Sequence, residues 1–248
     1  MSSVEQPLIE CLAGSIISVP WDVRAFGFPC YEVTNPSASA LETTAGSGHY
    51  TAKVDPLLDK RFLQENGFYY CDTLMEPYCR PEMFLPVYTQ DVMISDVCPL
   101  EDILALSRGA YRYGRYHRDF NVPDELADLR YDNWLRELSA SGGCFGLLYQ
   151  TNLAAYFGTN GNKVVLHAVA DEFRGKGLAK YLWSEGYRTL FDRGYKEVCS
   201  SVSAANSAVV NLYASLGFRF RNPVDVYHKF VPADQYESNL VSTDVRRP

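Results

Sequence analysis

Cysteine is too sparse and too scattered in this chain to build a scaffold on. Its seven copies, Cys11, Cys30, Cys71, Cys79, Cys98, Cys144 and Cys199, are odd in number and never stand as a C-x-x-C pair. That pattern argues against a disulfide framework and a zinc site, and for a reducing, cytoplasmic setting with no metal. Basic residues are in deficit as well: 23 Lys and Arg face 30 Asp and Glu, a net charge of −7. Nucleic-acid partners are therefore not expected, because phosphate contacts need concentrated cations. Long apolar runs are missing, so no membrane span is expected. The stretch from Met1 to Pro20 carries Glu5 and Glu10 with no basic region ahead of an apolar core, and no signal peptide is expected. What remains is 248 residues, 47% hydrophobic and 21% charged, the make-up of a soluble globular protein of one or two domains.

From Asp91 onward the chain alternates regularly between strand and helix patterns. Asp91–Val97 reads as a strand, and Pro99–Ala110 as a helix with Pro99 suited to its first turn. A Tyr- and Arg-rich connection, Tyr111–Val122, leads to a second helix over Pro123–Leu138. Leu126, Leu129, Tyr131, Trp134, Leu135 and Leu138 there fall near helical spacing. Cys144–Tyr149, Leu153–Gly158 and Lys163–Val169 read as three strands, with Thr159-Asn160-Gly161-Asn162 turning between the last two. An amphipathic helix ends near Gly194. Glu197–Val202 is a strand, Ser207–Leu216 a helix, and Phe218–Phe230 a further strand or two; 233–248 is a polar tail. The fold class is α/β (α+β), a central mixed sheet flanked by helices.

The N-terminal third offers a smaller α/β unit over residues 1–88, ahead of the main one over 89–232. Within it, strand Tyr50–Val54, helix Pro56–Glu65, Asn66-Gly67-Phe68 and strand Tyr69–Met75 parallel the later strand, helix, Leu216-Gly217-Phe218 and strand. A degenerate internal repeat and a chance likeness of two common units both fit that parallel.

The stretch with the most chemistry in it is Arg174-Gly175-Lys176-Gly177-Leu178-Ala179, set between an apolar strand and an amphipathic helix. A strand turning through two glycines into a helix presents a row of free N–H groups where the helix dipole is positive, a natural pyrophosphate site. An ordinary surface turn is the plain alternative, since short glycine motifs recur by chance. Downstream, Asn206-Ser207-Ala208-Val209-Val210-Asn211-Leu212-Tyr213-Ala214-Ser215-Leu216-Gly217-Phe218 places a phenol on a helix. Arg108, Arg112, Arg115, His117 and Arg118, interleaved with Tyr111, Tyr113 and Tyr116, suit an anionic acceptor bearing a ring, or else a solvated loop paired with Glu125 and Asp128.

Together these segments resemble the GNAT N-acyltransferases, whose Arg/Gln-x-x-Gly-x-Gly/Ala signature is matched by Arg174, Gly177 and Ala179. The helix segment resembles the same family's Asn-x-x-Ala-x-x-Leu-Tyr-x-x-x-Gly-Phe pattern, shifted by one residue at its start. The resemblance implies a GNAT fold, with the N-terminal unit as a degenerate GNAT half. It implies acetyl-CoA as cosubstrate, held by Val169, Arg174, Gly175, Lys176, Gly177, Leu178, Ala179 and Asn206, and Tyr213 as proton donor to the departing thiolate. Asn206 caps its helix or bonds the CoA arm. Trp21-Asp22, Phe26-Gly27-Phe28-Pro29, Arg115-Tyr116-His117-Arg118-Asp119, Tyr131 and Trp134 resemble the nucleotide-amino-sugar N-acetyltransferases of that family. This implies a small amine acceptor met by Arg115, His117, Arg118 and Asp119, with a homodimer as an allowed assembly. A natural-product or peptide amine with a longer acyl donor, and a non-catalytic acyl-CoA-binding module, are the alternatives. His167 is a sheet residue or a base facing the cleft.

Overall fold

The computed structural model describes residues 15–233. The acidic N-terminal stretch with Glu5, Glu10 and Cys11, and the polar tail beyond residue 233, lie outside them. No helix among the described residues is long and apolar enough to cross a membrane.

The strand-helix alternation read from Asp91 onward is present. β5 (Val92–Ser95) is followed by α4 (Leu100–Ser107) and α5 (Asp124–Ala140), then by β6 (Cys144–Tyr149), β7 (Asn152–Asn160) and β8 (Lys163–Val169). α6 (Ala179–Asp192), β9 (Val198–Ser200), β10 (Val202–Ser203), α7 (Ser207–Ser215) and β11 (Arg219–Val231) complete it. α5 forms where Pro123 sets the entry and Asp124 and Glu125 meet the positive helix end. It buries Ala127, Tyr131, Leu135 and Leu138, one per turn. α6 turns Leu182, Trp183, Gly186, Tyr187 and Leu190 onto the opposite face of the sheet. The sheet is thus covered twice: one core packs under α6 and α7, and a second under α4 and α5.

The N-terminal third holds more structure than its sequence suggested. β1 (Ser15–Ser18), α1 (Pro20–Phe26), β2 (Cys30–Thr34) and α2 (Ala38–Glu42) precede β3 (Gly48–Val54). α3 is only Arg61–Glu65, and β4 runs on from Tyr69 to Cys79. The strand expected over Glu197–Val202 is broken at Ser201: β9 pairs with both β8 and β4, and β10 continues on β4 alone.

All strands join one mixed sheet in the order β1-β2-β3-β11-β4-β9-β8-β7-β6-β5, with β10 on β4. Its centre is a palindrome. At each side lies a parallel pair, β2 with β3 and β8 with β9, joined through α2 and α6 respectively. From each pair a further helix, α3 or α7, leads into a long strand that crosses beneath the other side: β4 pairs with β9, and β11 with β3. Both of those helices close the same way. Phe68 N–H bonds Leu63 C=O (2.9 Å) and Phe218 N–H bonds Tyr213 C=O (3.1 Å), each around a left-handed glycine, Gly67 or Gly217.

Candidate active site

The site begins where β8 and β9 part. Their parallel pairing stops at Val164↔Ser200, closed by the Ser200 hydroxyl donating to Val164 C=O at 2.8 Å. One residue later along β8, Val165 is unmatched in the β7–β8 ladder: Gly158 pairs with Leu166 and Thr159 with Val164. That bulge flips the side-chain alternation. Val164 lies in the core under α6, Leu166 and Ala168 in the core under α4 and α5, and His167 returns to the α6 face beside Trp183. Ala170 N–H turns toward β7 and bonds Ala154 C=O (2.9 Å). By the alternation of an antiparallel ladder, the amide groups of His167 and Val169 turn the other way, into the gap that β9 has left. The Val169 carbonyl there accepts from Arg174 Nε at 2.8 Å.

A single cavity of about 1370 Å³ fills this gap. Beyond β8 its wall is the Arg174–Ala179 turn. Gly175 (φ 71°) and Gly177 (φ 75°) are left-handed with open space where a side chain would stand. Among the described residues none of the N–H groups from Gly175 to Lys180 donates a hydrogen bond; backbone bonding resumes at Tyr181 and Leu182, both to Leu178 C=O. No side chain caps α6 and its first turn carries no acid. Six amides and a positive helix end therefore face solvent together, an arrangement that takes an anion without any special side chain. Val169, Arg174, Gly175, Gly177, Leu178, Ala179 and Asn206 all line the cavity; Lys176 stands outside it, over the Phe173 ring. Asn206 caps α7, its side chain accepting from Val209 N–H at 3.3 Å.

Tyr213 is placed differently from expectation. Its side chain is fully buried and is not part of the cavity wall. Its hydroxyl lies between the Tyr187 hydroxyl (2.7 Å) and His167 Nε2 (3.1 Å). His167 does line the cavity, so the imidazole separates the phenol from any ligand. Burial pushes the Tyr213 phenol up to about 12 and His167 down to about 4, so both are neutral near pH 7. The imidazole is thus a cavity-lining group bonded directly to the phenol. Trp183, also on the cavity wall, has a buried indole N–H with no acceptor among the described residues.

Of the four acceptor-binding residues expected in the Tyr- and Arg-rich connection, only Arg115 lines the cavity. It donates to the Tyr116 hydroxyl (2.9 Å), which donates to Asp22 (2.6 Å), and Arg130 holds the other Asp22 oxygen (2.9 Å). His117 is a packing residue, bonded to Asp128 at 2.9 Å and stacked on Tyr131. Arg118 binds Asp72 at 2.7 Å. Asp119 is a buried clamp that accepts from His49 (2.8 Å), His228 (2.7 Å), Tyr69 (2.7 Å) and Asn121 N–H (2.9 Å). Asp128 on α5 is a partner the sequence offered and Asn121 is local, but Asp72, His49, Tyr69 and His228 lie on β4, β3 and β11, far away in sequence, and the connection alone gave no sign of them. Arg108 and Arg112, by contrast, line the cavity and make no ion pair among the described residues.

Comparison with known proteins follows the same outline. Residues 101–218, just under half of the chain, match the family model described as acetyltransferase (GNAT). A GCN5-related N-acetyltransferase from Kribbella flavida superposes with a TM-score of 0.56 at 15% identity, covering 92% of this chain and 90% of that one. One from Sphaerobacter thermophilus gives 0.55 at 12% identity, over 89% and 78% of the two chains. A functionally unknown conserved protein from Staphylococcus epidermidis gives 0.57 at 13%, over 88% and 95%. No functionally curated protein matches. The fold is the GNAT acyltransferase fold, a mixed sheet flanked by seven α-helices among the described residues.

Proposed function

We propose that this chain is an N-acyltransferase that moves an acetyl group from acetyl-CoA to the primary amine of a nucleotide-linked amino sugar. The observation that carries the acyl-CoA part is the run of unpaired amides from Gly175 to Lys180, at the end of a strand whose neighbour has departed. The pyrophosphate of CoA sits on those amides. The pantetheine arm runs along β8 and pairs with the outward amide groups of His167 and Val169, as a peptide adds to a sheet edge. The acceptor nitrogen attacks the thioester carbonyl, whose developing oxyanion is met by a backbone N–H near Val169. The carbon–sulfur bond breaks, and the thiolate takes its proton from His167, which Tyr213 resupplies.

Arg108, Arg112 and Arg115 at the cavity wall, beside Tyr111 and Tyr113, support an acceptor that carries phosphate and a flat ring. The palindromic strand order supports residues 1–88 as a degenerate copy of 89–232. In that copy Leu63 stands where Tyr213 does, and five-residue α2 replaces fourteen-residue α6.

The test is incubation with acetyl-CoA and a panel of amines, nucleotide-linked amino sugars included, following thiol release and product mass. Acetylated amino-sugar nucleotide is the expected product. CoA binding without turnover of any amine would favour a non-catalytic acyl-CoA-binding module, the reading to which the burial of Tyr213 lends weight.

A further inference from the structure

A base for the acceptor amine is missing from the chemistry above, and one carboxylate in the cavity wall is unspent. Asp72, on β4, is fully buried yet lines the cavity. Its Oδ1 is saturated, accepting from Arg118 Nη1 (2.7 Å), Ser203 Oγ (2.7 Å) and Thr73 N–H (2.9 Å). Its Oδ2 is buried and has no hydrogen-bond partner among the described residues. A buried carboxylate oxygen left unpaired is costly and is ordinarily met by a donor. Ser203 lies three residues past Ser200, where β9 parts from β8, so Asp72 stands on the β4–β10 wall of the same cavity whose β8 wall carries His167.

We infer that Asp72 Oδ2 receives the ammonium group of the acceptor and takes its proton, which makes Asp72 a catalytic base contributed by the N-terminal third of the chain. This rests on the acyl-transfer reading above. The ammonium gives one proton to Oδ2 and attacks as the free amine. The second proton, lost on amide formation, passes back through His167 to Tyr213 and replaces the one given to sulfur, and Asp72 returns its own to solvent as the next substrate enters. Arg118 from the connection after α4 and Ser203 from β10 bond Asp72 directly, and Arg115 from the same connection and Tyr131 from α5 couple to its charge electrostatically. Burial pushes its carboxyl above the ordinary value, against the pull of Ser203 and Arg118, toward the range in which a carboxylate works as a base. Arg118 is thereby a positioning residue, which gives the cation expected to meet substrate a different use.

The experiment compares wild type, Asp72→Asn and Arg118→Gln with dTDP-4-amino-4,6-dideoxygalactose as amine and saturating acetyl-CoA, across about pH 5 to 9. Asp72→Asn is expected to keep its CoA affinity while kcat/KM for the amine falls about 100-fold, with the acid limb of the wild-type profile lost. Arg118→Gln is expected to move that limb to higher pH, because a cation on Oδ1 no longer favours the charged form. A purely structural role would lower activity without moving the limb. Rates for Asp72→Asn within about threefold of wild type overturn the assignment, as does a limb that Arg118→Gln leaves in place should Asp72→Asn not fold. If wild type turns over no amine, acyl transfer itself fails. The same amine is then titrated calorimetrically into CoA-loaded wild type and Asp72→Asn, and equal affinities sink the Asp72 site separately.

Discussion

Two imidazoles carry most of what a single side chain can decide here. His167 stands between Tyr213 and the cavity, so its removal and that of the phenol should not be equivalent. Tyr213→Phe leaves an imidazole able to shuttle a proton from water and should cost kcat about tenfold to 100-fold. His167→Gln cuts the connection itself and should cost more, with CoA affinity by calorimetry unchanged in both. His228 is the second. Burial lowers it to about 3, so it is neutral in the folded protein and donates to Asp119. A histidine whose folded pKa is depressed gives stability that is fully present above its unfolded value, about 6.5, and is lost as pH falls toward the folded one. Asp119, held below the ordinary value by the His228 and His49 hydrogen bonds although burial opposes them, adds loss of the same sign below about pH 4. Urea unfolding should therefore show ~1 kcal/mol or more lost between pH 7 and pH 4.5. His228→Gln, less stable at pH 7, should show a smaller difference.

Among the elements, α6 does most to shape the site. Gly186 lets it lie close on the sheet: a Cβ there would come within 2.7 Å of the Phe157 ring, which itself lies beside His167. Gly186→Ala gains about 1 kcal/mol of helix preference, yet should melt at a lower temperature because overpacking costs about 1–3 kcal/mol. Local signals made this element readable in advance. Positive-φ glycines, an apolar stripe and a strand on its N-terminal side are all properties of neighbouring residues, and β6 and β8 were likewise legible to the residue from their apolar runs. The break of β9 at Ser201 was not, because Val198–Val202 is an unbroken strand pattern and the break is set by the loss of the β8 partner after Ser200 while pairing with β4 continues. The bulge at Val165, which decides where His167 points, leaves no mark in composition. The Tyr116–Asp119 cluster looked like a binding loop for the same reason: its counter-charges come from β3, β4, α5 and β11. Asp72 did carry a signal, a lone acid inside the aromatic strand Tyr69-Tyr70-Cys71-Asp72.

At the scale of the whole molecule, the exchanged long strands tie the two parts together. β4 covers the edge of β9, and β11 bridges β3 and β4 through most of its length. A fragment of residues 89–248 exposes the β9 edge and strips β11 of both its sheet neighbours, β3 and β4, and is expected to aggregate or give a poorly dispersed amide spectrum. A folded, well-dispersed fragment would show that β4 is dispensable. The central claim nonetheless concerns one corner, the amides from Gly175 to Lys180 as the seat of a pyrophosphate. It is tested most directly by calorimetric titration of acetyl-CoA and of pantetheine, which lacks the diphosphate, into wild type and Gly177→Val. Valine puts a side chain at a left-handed position where the ligand approaches. Acetyl-CoA affinity should fall at least about tenfold, ~1.4 kcal/mol, while pantetheine binds both proteins equally weakly. Equal acetyl-CoA affinity in the two proteins would contradict the account.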